Sequence, residues 1–111
     1  YAYVTGVTFS KDYPTVSESL VSSELSDTSS TKYTVDAFVS KLSPDGTALI
    51  YSTRLGGKRG GQGGGNIVLD KSGYVYVVGF TTSEDFPVTP GAFQSKQEGD
   101  TDVFITKLSL P

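Results

Sequence analysis

Three groups of side chains in this sequence could do chemistry. The first is a glycine run, Gly56 to Gly65, accompanied by Arg54, Lys58 and Arg59. Glycines leave backbone N–H groups open, and cations beside them would suit an anion or a partner contact. The run fails the phosphate-loop pattern, because no Lys-Ser/Thr follows at the required spacing and no helical pattern succeeds it. Its simpler role is a close-approach linker, where side chains would clash. The second group is acidic. Asp70, Ser72 and Gly73, and separately Asp100 and Asp102, supply part of a calcium loop. Neither has the alternating oxygens and terminal Glu of an EF-hand. Turn chemistry, in which Asp accepts from nearby backbone N–H groups, accounts for both. Glu84, Asp85 and Glu98 offer carboxylates, but nothing sets two of them across a sugar, and adjacent residues in an extended segment point oppositely. The third group is aromatic. Tyr1, Tyr3, Tyr74 and Tyr76 alternate on equivalent faces, to line a carbohydrate platform or to pack between structural units. Lys41 and Lys107 also hold equivalent positions and read as structural or surface charges.

What is missing narrows the chemistry further. The 111 residues contain no His and no Cys. That removes Ser-His-Asp and Cys-His catalysis, disulfides, thiolate sites and the commonest zinc ligand. We therefore expect no catalytic residues, no metal site and no cofactor, with calcium unsupported. The net charge of −3 gives no pull toward nucleic acid. No apolar run approaches the roughly 20 residues that span a bilayer as a helix, so no membrane insertion is expected. Hydrophobic residues make up 36% of the chain, enough for a core. The chain opens directly in a β-pattern, without an initiator Met or a signal-peptide pattern, and is expected to be a piece of something longer.

The elements that would position these groups come from a repeat. Tyr1-Ala2-Tyr3-Val4-Thr5-Gly6-Val7-Thr8 returns as Tyr74-Val75-Tyr76-Val77-Val78-Gly79-Phe80-Thr81. Asp36-Ala37-Phe38-Val39-Ser40-Lys41-Leu42-Ser43 returns as Asp102-Val103-Phe104-Ile105-Thr106-Lys107-Leu108-Ser109. The offsets are 74 − 1 = 73 and 102 − 36 = 66, so the 7-residue difference is extra loop between Ser10 and Val35. Strands are predicted over Tyr1–Phe9, Val35–Leu42, Thr47–Leu55, Asn66–Asp70, Tyr74–Thr82 and Asp102–Leu108, each rich in β-branched and aromatic residues. Apolar groups on both faces of the opening strand predict that it is covered on both sides. Ser43-Pro44-Asp45-Gly46 and Asp70-Lys71-Ser72-Gly73 predict tight hairpin turns. Residues 10–34 read as a long polar loop, and the glycine run as neither strand nor helix. No segment sustains a helical period, so the class is all-β.

Several of these stretches resemble the bacterial β-propeller repeat called SBBP. They are Ile50 to Gly57, Ile67 to Gly79, Asp85-Phe86-Pro87-Val88-Thr89-Pro90-Gly91-Ala92-Phe93-Gln94, and Asp102 to Leu108. The first copy of the Phe-Pro loop keeps only Asp12-Tyr13-Pro14-Thr15. The family usually carries polar or acidic residues after its Gly-Gly, where this chain has Lys58-Arg59 and more glycines. The resemblance implies radial blades of four antiparallel strands, lettered A to D from the axis outward. Residues 1–55 are then strands B, C and D of one blade, 56–65 an inter-blade linker, and 66–111 strands A, B and C of the next. The absent piece would resemble Asp45 to Asp70 of this same chain.

Family members are typically large secreted or cell-surface bacterial proteins, often joined to adhesion or carbohydrate-related modules, and no common catalytic residues are implied. The expectation is a non-catalytic extracellular scaffold or adhesive component, with other copies or other chains completing its blades. A carbohydrate-binding module, contacting glycans, and an accessory domain of a larger secreted enzyme stand as alternatives.

Overall fold

The structure, a computed structural model, describes residues 1–10, 13–16, 35–56, 61–83, 88–92, 94 and 99–110. They form six strands and no helix: β1 (Ala2–Thr8), β2 (Asp36–Leu42), β3 (Leu49–Leu55), β4 (Gln62–Leu69), β5 (Tyr74–Thr81) and β6 (Asp102–Ser109). They make two three-stranded antiparallel sheets, ordered β1-β2-β3 and β4-β5-β6. The all-β reading is thus observed.

The repeat fixes register as well as strand identity. In the first sheet Tyr3 pairs with Lys41 and Gly6 with Phe38. In the second, the equivalent residues make equivalent pairs, Tyr76 with Lys107 and Gly79 with Phe104. A Cβ on Gly6 would lie 3.0 Å from the Phe38 ring, and one on Gly79 would lie 2.8 Å from the Phe104 ring. The glycine of each copy is therefore the slot over which the neighbouring strand's phenylalanine lies.

Both hairpin turns form where expected. Gly46 and Gly73 adopt φ of 76° and 88°, which a side chain would strain. Asp45 Oδ1 accepts from Ser43 Oγ, Thr47 N and Thr47 Oγ1. These bonds favour the charged form and hold the carboxyl below its usual 3.8, at about 2. Asp70 caps its turn similarly, accepting from Ser72 N, Tyr74 N and the Tyr76 hydroxyl. Desolvation pushes its carboxyl up, but those bonds and the Lys107 charge together hold it below 3.8.

One core serves both sheets. Ala37, Val39 and Leu55 of the first meet Val75, Val77, Phe104 and Leu108 of the second, with Tyr3, Ile67 and Leu110 packed at the margin. Each fully buried aliphatic side chain contributes about 1.5–3 kcal/mol. The opposite face of the first sheet carries Tyr13, whose ring lies 4.8 Å from that of Phe38. Tyr13 Oη, Ser40 Oγ and Ser52 Oγ form a hydroxyl chain at 2.9 and 2.8 Å. Val16 bonds to both backbone groups of Ser52, tying residues 13–16 to the outer edge of β3.

Two expectations need correction. The glycine run is not free of strand, because β4 begins at Gln62 and takes in Gly63, Gly64 and Gly65. Glycine is required there by close approach: a Cβ on Gly64 would collide with Thr5 Oγ1, and one on Gly63 would lie 2.8 Å from Val7. The register of β4 slips between Gly64 and Asn66, a bulge that absorbs the change. The opening strand, in turn, is not covered on both sides. It lies at a sheet edge with Val4 and Val7 exposed. Of the loop expected over 10–34, residues 11–12 and 17–34 lie outside the described residues.

Candidate functional site

Two arrangements bring polar or apolar groups together beyond what folding each sheet requires. The first is a buried polar cluster where the ends of β1, β2, β3, β4 and β5 converge. Strand alternation turns Arg54 to the face of Phe38, away from the shared core. There it is buried, with Nη1 3.7 Å from Asp36 Oδ2 and 3.4 Å from the Ser10 carbonyl oxygen. Its Nε is buried without a hydrogen-bond partner among the described residues. Lys58 and Arg59, the cations expected to act with it, lie outside the described residues.

The centre of that cluster is a residue the sequence reading passed over. Gln62 has no exposed surface. Its Nε2 donates to the Val35 carbonyl at 3.2 Å, and its Oε1 accepts from Ser83 Oγ at 2.9 Å. Its backbone N–H also donates to Val35 O, beside a parallel bridge between Val35 and Gly61. Gly61 and Thr82 exchange further bonds through backbone and hydroxyl groups. A side chain on Gly56 would strike the Gln62 amide and lie 2.9 Å from Asp36 Oδ1. The one available signal was that Gln62 is the single uncharged side chain among the glycines of that run. Chemically the cluster is a clasp: amide, hydroxyl and backbone groups from both sheets satisfy one another. Among the described residues it holds no nucleophile paired with a base.

The second arrangement is apolar. On the face of the second sheet turned away from the core, Val78 pairs with Ile105, Phe80 with Val103 and Val68 with Tyr76. Ile105 is 73% exposed and Val103 72%, with Val68, Phe80 and Val78 also open. Contiguous exposed apolar surface of this kind marks interaction sites. Beside it, Lys107 Nζ lies 4.2 Å from the Tyr74 ring centre and 5.5 Å from that of Tyr76. Lys41 repeats this over Tyr1 and Tyr3 at 4.3 and 5.6 Å. The four tyrosines are therefore two lysine-capped pairs, each held by cation–π attraction.

Among the described residues the acidic candidates do not group into a site. Asp70 serves its turn, and Asp102 accepts from Gln94 Nε2 at 3.3 Å. Glu84, Asp85 and Glu98 lie outside the described residues. Among the described residues no three His, Cys, Asp or Glu side chains group to hold a metal ion. No helix there is long and apolar enough to cross a membrane.

Compared with known families, one stretch finds a match. Residues 50–87 match the β-propeller repeat family SBBP. The match runs from β3 through the glycine run, β4 and β5, so it includes Gln62, its partner Ser83, and Gly79. Comparison with curated proteins and with solved structures gave no match. The matched stretch thus spans the junction of the two sheets.

Proposed function

We propose that the chain is a non-catalytic, extracellular β-propeller scaffold that presents its loops to a partner. In this reading β1, β2 and β3 are strands B, C and D of one blade, and β4, β5 and β6 are strands A, B and C of the next. Other copies or other chains supply the two absent strands. The observation that carries it is the clasp: the buried polar side chains around Gln62 are spent on joining sheet to sheet, as a rigid frame needs. The SBBP match across the junction supports the blade assignment. The family resemblance supports the extracellular placement.

A frame of this kind positions loops without chemistry of its own, because rigid strands fix where loop ends emerge. Lys58 and Arg59, between the ends of β3 and β4, supply the partner contact in this proposal, and Arg54 anchors the strand before them. The test is labelling of intact source cells with a membrane-impermeant amine reagent, followed by recovery of the chain. Labelling before lysis is expected; labelling only after lysis sinks the extracellular placement. A panel of chromogenic glycoside, ester and phosphate substrates should show no saturable turnover. Turnover abolished by a single substitution would overturn the non-catalytic reading. On a glycan array, binding lost on Tyr1→Ala and Tyr74→Ala would favour a carbohydrate-binding module instead.

A further inference from the structure

The uncovered face of the second sheet has an internal replica that is covered. By the repeat, Thr5, Val7, Ala37 and Val39 correspond to Val78, Phe80, Val103 and Ile105. Ala37 and Val39 are fully buried, whereas Val103 and Ile105 are among the most exposed apolar side chains. The difference lies in what each face meets. The face bearing Ala37 and Val39 is covered by Val75, Val77, Phe104 and Leu108 of the second sheet. No described element covers the face bearing Val103 and Ile105.

The chain also carries a second version of the covering surface. Val75, Val77, Gly79, Phe104, Thr106 and Leu108 correspond to Ala2, Val4, Gly6, Phe38, Ser40 and Leu42. These lie on the first sheet's far face, in the same register, with the Phe ring over the Gly. Ala2 and Val4 are exposed there and Leu42 and Gly6 are half-buried, while the half-buried Tyr13 lies over Phe38 and bonds Ser40, so the open part of the face is its Ala2-Val4-Leu42 side.

We infer that a second copy of this chain docks its Ala2-Val4-Leu42 face, flanked by Tyr13 over Phe38, onto the Val78-Phe80-Val103-Ile105 face of the first. This rests on the propeller reading above and names the partner and both surfaces. The contact continues the packing that already joins the two sheets, with each step adding the next. It is heterologous: the two surfaces differ, so association runs head to tail into a ring or an open stack. A self-complementary dimer through the Ile105 face would instead set Val103 and Ile105 of one copy against those of another.

The two geometries separate in a mixing experiment with the full chain, read by sedimentation velocity, with circular dichroism confirming the β-fold. Wild type is expected to associate as concentration rises. Ile105→Glu blocks one surface and Val4→Glu the other, so each alone is expected to remain monomeric. An equimolar mixture is expected to form 1:1 dimers and stop, because each copy keeps one working surface. Val103→Lys and Ala2→Glu repeat the design should either first variant lose its fold. A folded wild type that stays monomeric at all concentrations overturns the inference. Self-association of Val4→Glu alone also overturns it, by showing a self-complementary contact. Neither result bears on where the chain resides, so loss of this inference leaves the extracellular scaffold to its own test.

Discussion

Gly79→Ala and Gly6→Ala change the same repeat position and should have different costs. At Gly79 the added methyl meets the Gly63 carbonyl oxygen and the Phe104 ring atoms Cε2 and Cζ at 2.8 Å. The carbonyl belongs to β4, whose pairing with β5 fixes it, so it cannot swing aside as a side chain can. Overpacking of this kind costs about 1–3 kcal/mol. The loss of unfolded-state freedom returns about 0.4–1 kcal/mol. The net expectation for Gly79→Ala is a destabilisation of about 1–2 kcal/mol. At Gly6 no carbonyl is near, and the Phe38 ring atoms at 3.0 and 3.2 Å are the nearest neighbours. A ring displacement of a few tenths of an ångström relieves that contact, so Gly6→Ala should fall within about 0.5 kcal/mol of wild type. Urea unfolding followed by far-UV circular dichroism, with unchanged m values, reads both. In a two-state domain of this size each kcal/mol is about 4–8 °C in Tm. Equal costs, or a larger one for Gly6→Ala, would refute the argument that backbone rather than ring decides it.

Other expectations follow from burial and charge. Val39→Ala removes two methyl-sized groups from a fully buried site and should cost about 2 kcal/mol, while Ile105→Ala, at 73% exposure, should stay within about 0.5 kcal/mol at concentrations where the chain is monomeric; comparable losses by urea titration would show that the two faces are not differently covered. Arg54→Ala leaves Asp36 buried beside a lost cation and should cost about 3 kcal/mol, with Asp36→Asn recovering part of it in a double-mutant cycle. Asp45 is held at about 2, so its contribution to the hairpin is complete above 3.8 and lost as pH falls toward 2. Carboxyl NMR should place its midpoint near 2, and Asp45→Asn should remove that pH response; an ordinary midpoint would deny the turn its three bonds.

How far the sequence reveals this architecture depends on whether each element's signal is local. The strands around Val39 and Val77 are legible because β-branched residues crowd there and because Pro44-Asp45-Gly46 and Asp70 to Gly73 close turns by their own chemistry. The start of β4 is not legible, since Gly63 and Gly64 have no side chain to advertise a strand. They are strand because Phe80 and Gly79 pair with them and because Thr5 and Val7 press from the other sheet. Gln62 is obscured for the same reason, its partners Val35 and Ser83 being 27 and 21 residues away. The repeat reveals more than composition, because equivalent residues keep equivalent pairings. Yet equivalence of sequence does not extend to equivalence of environment. Val39 and Ile105 occupy one position of one motif, and only the presence of a neighbouring sheet makes the first core and the second surface. The same logic applies to Arg54. Its cationic character invites a surface role, but strand alternation turns it toward Asp36, and the clasp beyond closes over that end of the sheet.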